Sequence, residues 1–141
     1  MLKTQKNALL AQMIAQQKRL IDAAKTDEAA AVHMTETRIY VGLNDAETRE
    51  QKHDTERYLS VLKHVCRSYR VAFSLDIEQG GYFHEDGEYT EERSLVLVLI
   101  NADKGIVREI AKDLCTFFHQ ESVLVTENRV EGYFVERAII E

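Results

Sequence analysis

The chain has 141 residues, of which 45% are hydrophobic and 30% charged, enough for one compact domain and too little for two of ordinary size. Its net charge is -6, and the longest apolar run, residues 95–100, is far shorter than the roughly 20 residues that cross a bilayer. No apolar signal-peptide segment is recognisable at the N-terminus. Two cysteines, Cys66 and Cys115, indicate free thiols rather than a disulfide framework. We therefore expect a cytoplasmic globular protein.

The N-terminal segment differs from the rest of the chain in charge and periodicity. Residues 1–35 carry a net charge of +2, whereas residues 36–141 carry -8. Apolar residues recur at helical spacing over residues 3–25, among good helix formers. Gln16 and Gln17 interrupt this stripe, so a coiled coil is disfavoured. We expect an N-terminal helix and connector over residues 1–35, docked on its own domain or on a neighbouring subunit, followed by one folded domain over residues 36–141.

From residue 37 onward, the pattern alternates between strand and helix periodicity. It predicts strands at residues 37–43, 71–77, 93–100 and 122–126, with a further strand or extension at 130–135, and helices from residue 46 or 52 to 68 and from 103 to 120. Asn44 and Asp45 provide turn and capping chemistry before the first of these helices, and Leu114, Phe117 and Phe118 fall on the apolar stripe of the second. This order predicts an α+β fold of the ferredoxin-like βαββαβ type, an antiparallel sheet with both helices on one face.

The third strand is apolar on both of its faces. Adjacent strand residues point to opposite sides, so only one set can face the helices. Monomers rarely expose the other set to water, so we expect either the N-terminal helix or the sheet of a second subunit to cover it. On this basis the protein is expected to be a homo-oligomer. The two sets are Leu95, Leu97 and Leu99, and Val96, Val98 and Ile100.

The open face of the predicted sheet supplies candidate ligand-binding residues. Tyr40 and Asp76 occupy its first two strands, and Tyr82 and Phe83 lie in the hairpin beyond, where aromatic side chains can cap a pocket. These four residues predict a site for a small ligand or a protein partner. The leading hypothesis is a non-enzymatic, homo-oligomeric binding module.

Two alternatives from other classes remain open. One is a small enzyme of the dimeric α/β-barrel type, with Tyr40, Asp76 or His84 as acid or base. The other is an acidic inhibitor protein from a mobile element, whose surface mimics a polyanion.

Other chemistries find little support in the sequence. The acidic domain and the lack of phosphate-binding glycine motifs disfavour nucleic acid as a partner. Cys115 and His119 have ligand spacing but lack the further donors that a metal requires. We expect the protein to bind no metal, cofactor or membrane, and the sequence identifies no catalytic residue for the leading hypothesis.

Two short segments carry a resemblance to a known family. Residues 38–43 contain a Tyr-x-Gly-Leu strand, and residues 117–124 contain Gln-Glu-Ser-Val-Leu. Together they resemble a small family of uncharacterised bacterial domains. The resemblance covers about residues 37–135, implies a ferredoxin-like fold and implies no activity.

Overall fold

A computed structural model describes residues 7–17 and 32–138 of the chain. In this part the elements are α1 (residues 7–17), β1 (Val32–Gly42), α2 (Thr55–Ser68), β2 (Ser74–Phe83), β3 (Tyr89–Ile100), α3 (Lys104–Phe117) and β4 (Leu124–Gly132). The three helices and four strands confirm the predicted α+β class. The rest of the helix expected over residues 3–25 lies outside the described residues.

All four strands form one antiparallel sheet in the order β2-β3-β1-β4. Strand β1 is central, and its Ile39 lies opposite Leu97 of β3 and Val125 of β4. The β2–β3 hairpin pairs continuously from Ser74 with Val98 to Phe83 with Tyr89, so it is longer than the sequence pattern indicates. Its tip extends past the end of β1 and brings the hairpin next to the loop that follows β1.

Helices α2 and α3 pack together on one face of the sheet. The inward-facing strand residues Ile39, Val41, Leu95, Leu97 and Leu99 are all fully buried there. The helices contribute the rest of this hydrophobic cluster, including Tyr58, Leu62, Val65, Cys66, Val107, Ile110, Leu114 and Phe118. The placement of both helices on the same face agrees with the expectation from the sequence.

A polar contact joins the two helices at one end. The Tyr69 hydroxyl, at the C-terminus of α2, donates a 2.6 Å hydrogen bond to Asp113 of α3. This bond, together with burial, raises the pKa of Tyr69 to about 12.

Several element bounds differ from the sequence prediction. Strand β1 begins at Val32, so residues 32–35 of the expected connector belong to the sheet, and β4 is one continuous strand. Helix α2 begins at Thr55 with Asp54 as its N-cap, because Asp45 is used elsewhere. The N-cap of α3 is Asp103, whose side chain accepts a 3.1 Å hydrogen bond from the backbone N–H of Ile106.

The assignment of Phe117 to the core is wrong. Its side chain is 60% exposed, whereas Phe118 is 3% exposed. The buried positions of α3 advance by three or four residues from Val107 to Leu114, and the next step of four arrives at residue 118. Phe118 is therefore the aromatic residue that packs on α2, with its ring 5.2 Å from that of Tyr58.

The other face of the sheet carries the second apolar set of β3. Val96 is fully buried between Tyr40 on β1 and Asp76 on β2, and Val98 and Ile100 are half-buried. Residues of α1 line a cavity together with Val98 and Ile100, so α1 lies over this end of the strip within the same chain. In the described ranges, no helix is long and apolar enough to cross a membrane.

Candidate functional site

The loop after β1 is organised around the buried carboxylate of Asp45. This side chain is 5% exposed and accepts hydrogen bonds from the backbone N–H groups of Glu47 at 2.9 Å and Thr48 at 3.1 Å. Lys52 Nζ lies 3.2 Å from its Oδ2 atom. A buried carboxylate with this many donors is stabilised in its charged form, so it holds the loop in one conformation.

His119 connects this loop to the end of α3. It follows the helix in the left-handed conformation (φ 51°) that is common at helix ends, and its Nδ1 lies 2.6 Å from Asp45 Oδ2. The hydrogen bond from His119 is the main reason that the pKa of Asp45 lies well below its usual value of 3.8. The same bond, aided by the charge of Asp45, raises the pKa of His119. The side chains of Asp45 and His119 therefore make a hydrogen bond across 74 residues of sequence, which becomes an ion pair when the imidazole is protonated.

Glu92 of β3 is fixed next to this loop. Its Oε2 accepts a 2.9 Å hydrogen bond from the backbone N–H of Asn44, and the Asn44 amide group donates to the carbonyl of Glu91 at 3.2 Å. Gly42 leaves the space that the carboxylate occupies, since a Cβ atom there would lie 2.5 to 2.7 Å from the carboxylate atoms of Glu92. The backbone N–H of Asn44 thus binds the Glu92 carboxylate, and the absence of a side chain at Gly42 leaves room for it.

Two polar cavities meet at Asn44 and Glu92, which line both of them. The larger has a volume of about 600 Å³ and is also lined by Gln51, Gln79, Gly80, Gly81, Tyr89, Glu91 and Arg93. The smaller has a volume of about 380 Å³ and is also lined by Asp45, Ala46, Arg49, Tyr82, His84, Gln120, Glu121 and Ser122. Asn44 and Glu92 are therefore the lining residues that the two cavities have in common.

The hairpin provides aromatic side chains to both cavities. Tyr89 lies over Gly81, where any Cβ atom would collide with the tyrosine hydroxyl group. Tyr82 packs edge-on against His84, with ring centroids 4.8 Å apart. Burial and, secondly, the negative charge of Glu92 raise the pKa of Tyr82, against an opposing effect of Arg49. Tyr82 and Glu92 both line the smaller cavity.

Arg49 connects the loop after β1 to the turn of the hairpin. Its guanidinium group lies 3.4 Å from Asp86 and 3.6 Å from Glu88, both in the turn of the hairpin. The contacts are exposed, so they are weak individually. They join the loop after β1 to the tip of the hairpin, which are the two walls of the smaller cavity.

The chemical character of the site suits a polar ligand with a positive charge. Carboxylates from Glu91, Glu92 and Glu121 line the cavities, and tyrosine rings offer faces that attract cations. Arg49 and Arg93 add positive groups for a carboxylate on the same ligand. Within the described ranges, no three His, Cys, Asp or Glu side chains are grouped as metal ligands.

The structure separates the four residues proposed from the sequence. Tyr40 and Asp76 flank Val96 on the open face, but neither lines a cavity of the site. Tyr82 lines the smaller cavity, roughly 20 Å along β2 from Asp76 at about 3.3 Å per residue. Phe83 is 72% exposed and packs against Tyr89, with ring centroids 5.1 Å apart. His84, the third acid or base candidate, lines the same cavity as Tyr82 and hydrogen-bonds Thr90 at 2.8 Å.

The sequence interpretation missed Asn44, Gln51 and Glu92 as site residues. The sequence pattern indicates only turn and capping chemistry for Asn44 and does not single out Glu92. A signal for them existed in Gly42 and Gly81, because a glycine inside a strand marks a close approach of other atoms. Gly42 makes room for Glu92 and Gly81 for Tyr89.

The chain was compared with known proteins. No family profile and no curated protein matches it. Its fold resembles two solved structures of a phage SAM lyase, both 20% identical to this chain. The complex of that lyase with S-methyl-5'-thioadenosine gives a TM-score of 0.53 and the apo form 0.54. In both cases the similarity covers 79% of this chain and 99% of the lyase chain, so the two proteins share a fold.

These comparisons correct the main functional expectation. The expectation of a non-enzymatic binding module is wrong in their light, because the solved structures that share the fold belong to an enzyme. The alternative hypothesis of a small enzyme agrees with them better. The resemblance to uncharacterised bacterial domains and the cytoplasmic location stay predictions.

Proposed function

We propose that this protein is a small lyase that cleaves S-adenosylmethionine (SAM) and releases S-methyl-5'-thioadenosine. The fold shared with the phage SAM lyase supports the choice of reaction class. The observation that carries the proposal is the position of Glu92, which accepts a hydrogen bond from the backbone N–H of Asn44 and lines both polar cavities. A ligand with a central positive charge and a polar group on each side of it would place the charge at Glu92 and one polar group in each cavity.

SAM has that form. Its sulfonium joins an adenosine arm to an amino acid arm, and the two cavities offer a different set of groups to each. In the proposal, the larger cavity takes adenosine, with Tyr89 beside the adenine and the Gln51 amide as a hydrogen-bonding group. The smaller cavity takes the amino acid arm, with Arg49 for its carboxylate and Glu121 for its ammonium group.

The chemical step balances without an additional reactant. The bond between sulfur and the γ-carbon of the amino acid arm breaks, and its electron pair goes to sulfur, which loses its positive charge. The carbon fragment either closes on its own carboxylate oxygen to form a lactone or loses a proton to form an alkene. Both routes release the same thioether. The protein groups have to orient the arms and exclude water, which would otherwise hydrolyse the fragment.

Glu92 has a defined role in this scheme. Its carboxylate attracts the sulfonium of bound SAM and has no such attraction for the neutral thioether product. It therefore strengthens substrate binding and favours product release. Because the charge disappears during the reaction, Glu92 affects KM more than kcat.

The test is direct. The purified chain is incubated with SAM, and S-methyl-5'-thioadenosine is measured by chromatography, with the mass of the second product distinguishing lactone, alkene and hydrolysis product. Glu92→Gln keeps the hydrogen-bond acceptor for Asn44 and removes the charge. We expect KM to rise about tenfold, as for loss of one partly screened charge contact, with kcat within about threefold of wild type.

Glu78→Gln is the matched control, since Glu78 lies on the exposed part of β2 and outside both cavities. It should leave both constants unchanged. Absence of thioether release by the wild-type protein would refute the proposed reaction. Equal effects of the two variants would refute the role of Glu92.

We also propose that the sheet has the ferredoxin-like topology and that the protein forms a homo-oligomer. The element order and the strand order β2-β3-β1-β4 support a ferredoxin-like topology. Exposed Leu124 and Val125 on edge strand β4 support a homo-oligomer. Light scattering of the wild-type protein measures the number of subunits, and a monomeric mass would contradict this part.

A further inference from the structure

A third cavity lies between α1 and the open face of the sheet, at the opposite end from the polar cavities. It has a volume of about 260 Å³. From Arg93 to Ile100 along β3 the distance is roughly 23 Å, at about 3.3 Å per residue, so one small molecule cannot occupy both regions. Side chains from α1, β3 and the segment before β2 line this cavity, among them Leu10, Ile14, Gln17, Phe73, Val98 and Ile100.

The residues that line this cavity are mostly apolar, and the two polar ones are Gln17 and Ser74. Gln17 is 9% exposed, and its Oε1 atom has no hydrogen-bond partner among residues 7–17 and 32–138. A buried amide oxygen loses its water and normally regains a protein partner in return. Here no such partner lies within the described residues, and Gln17 lines the cavity. The terminal torsion of glutamine is broad, so its rotation can present the oxygen to a molecule in the cavity.

We propose that this cavity binds a small neutral molecule, largely apolar and carrying one N–H or O–H donor that bonds to Gln17 Oε1. The apolar lining disfavours a charged ligand. The volume admits on the order of ten non-hydrogen atoms, taking about 30 Å³ for one water in the liquid as a guide. A bicyclic aromatic ring with a single donor has this size and character, and the aromatic side chains of Phe73 and Phe134 line the same space.

Indole and benzofuran are suitable probes, because they share a shape and differ in the N–H donor. The chain contains no tryptophan, so the fluorescence of indole can be followed in the presence of the full-length protein. Indole emission should shift to shorter wavelength and saturate at one molecule per chain below about 2 mM, an affinity reasonable for so small a ligand. Benzofuran should compete with indole for the site, with an affinity about fivefold lower because it lacks the N–H donor for one hydrogen bond.

Three variants locate the site. Gln17→Leu removes the acceptor and should make the two affinities equal. Gln16→Leu is the matched control on the exposed side of α1 and should keep the wild-type ratio. Ala72→Phe fills the cavity and should abolish the binding of both probes, with circular dichroism confirming that each variant is folded.

Two results would overturn the proposal. One is the absence of saturable indole binding by the wild-type protein, or equal affinity of the wild type for both probes. The other is an unchanged preference for indole in Gln17→Leu. Neither result depends on SAM cleavage, because the polar cavities lie at the other end of the sheet.

Discussion

Gly42→Ala tests whether the position of Glu92 matters for activity. The new Cβ atom would lie 2.5 Å from Glu92 Oε2, and ordinary contact begins at 3.4 Å. The carboxylate must therefore move by about 1 Å, which stretches its 2.9 Å hydrogen bond to Asn44 beyond bonding distance. Because Glu92 acts on substrate binding, its displacement should raise KM and leave kcat nearly unchanged. We expect kcat/KM for SAM cleavage to fall by up to about tenfold, no more than in Glu92→Gln.

The stability of this variant should change little. Glu92 is half-exposed and can bond to water after it moves, and replacing glycine inside a strand itself gains about 0.5–1 kcal/mol. Urea denaturation should therefore place the free energy of unfolding within about 1 kcal/mol of wild type. Activity and stability thus respond differently, which separates a misplaced carboxylate from a damaged fold.

A double-mutant cycle provides the decisive comparison. If Gly42→Ala acts through Glu92, then adding it to Glu92→Gln should cost less than its effect on the wild type. Gly105→Ala, on α3 and away from both cavities, controls for the substitution itself and should keep full activity. Full activity in Gly42→Ala, or strictly additive losses in the double variant, would refute the reasoning.

Two further predictions concern stability. Leu114→Ala, at a fully buried position of α3, should lower the free energy of unfolding by about 2–5 kcal/mol, whereas Phe117→Ala should lower it by less than about 1 kcal/mol. Equal losses of the two variants in urea denaturation would contradict the orientation of the helix. The second prediction concerns pH: the Asp45–His119 pair should stabilise the fold most between the ordinary pKa values of 3.8 and 6.5. Its contribution is lost as pH falls through the lowered pKa of Asp45 and as pH rises through the raised pKa of His119, so Asp45→Asn should flatten a plot of Tm against pH, and an unchanged plot would exclude this linkage.

The secondary structure follows from local sequence over most of the chain. Alternation at Ile39 and Val41 and the stripe from Val107 to Leu114 depend on neighbouring residues only, so the strands and helices could be predicted with their order. Errors occur where local patterns are ambiguous. Phe117 and Phe118 are adjacent, and the end of the helix decides which of them is buried. Residues 32–35 resemble a connector because Val32 and Met34 are out of phase with Ile39 and Val41, so no single alternation runs through the whole strand.

The candidate site depends on contacts that local pattern does not contain. Asn44 meets Glu92 across 48 residues and Gln120 across 76, and Asp45 meets His119 across 74. Such contacts arise because β1 lies next to β3 and β4 in the sheet, which places the loop after β1 between the hairpin and the end of α3. The sequence by itself determined the elements, their order and their apolar faces, since these depend on residues close in the chain. Only the tertiary structure decided which polar side chains share a cavity, because residue spacing along the chain does not define distances between strands that pair across the sheet.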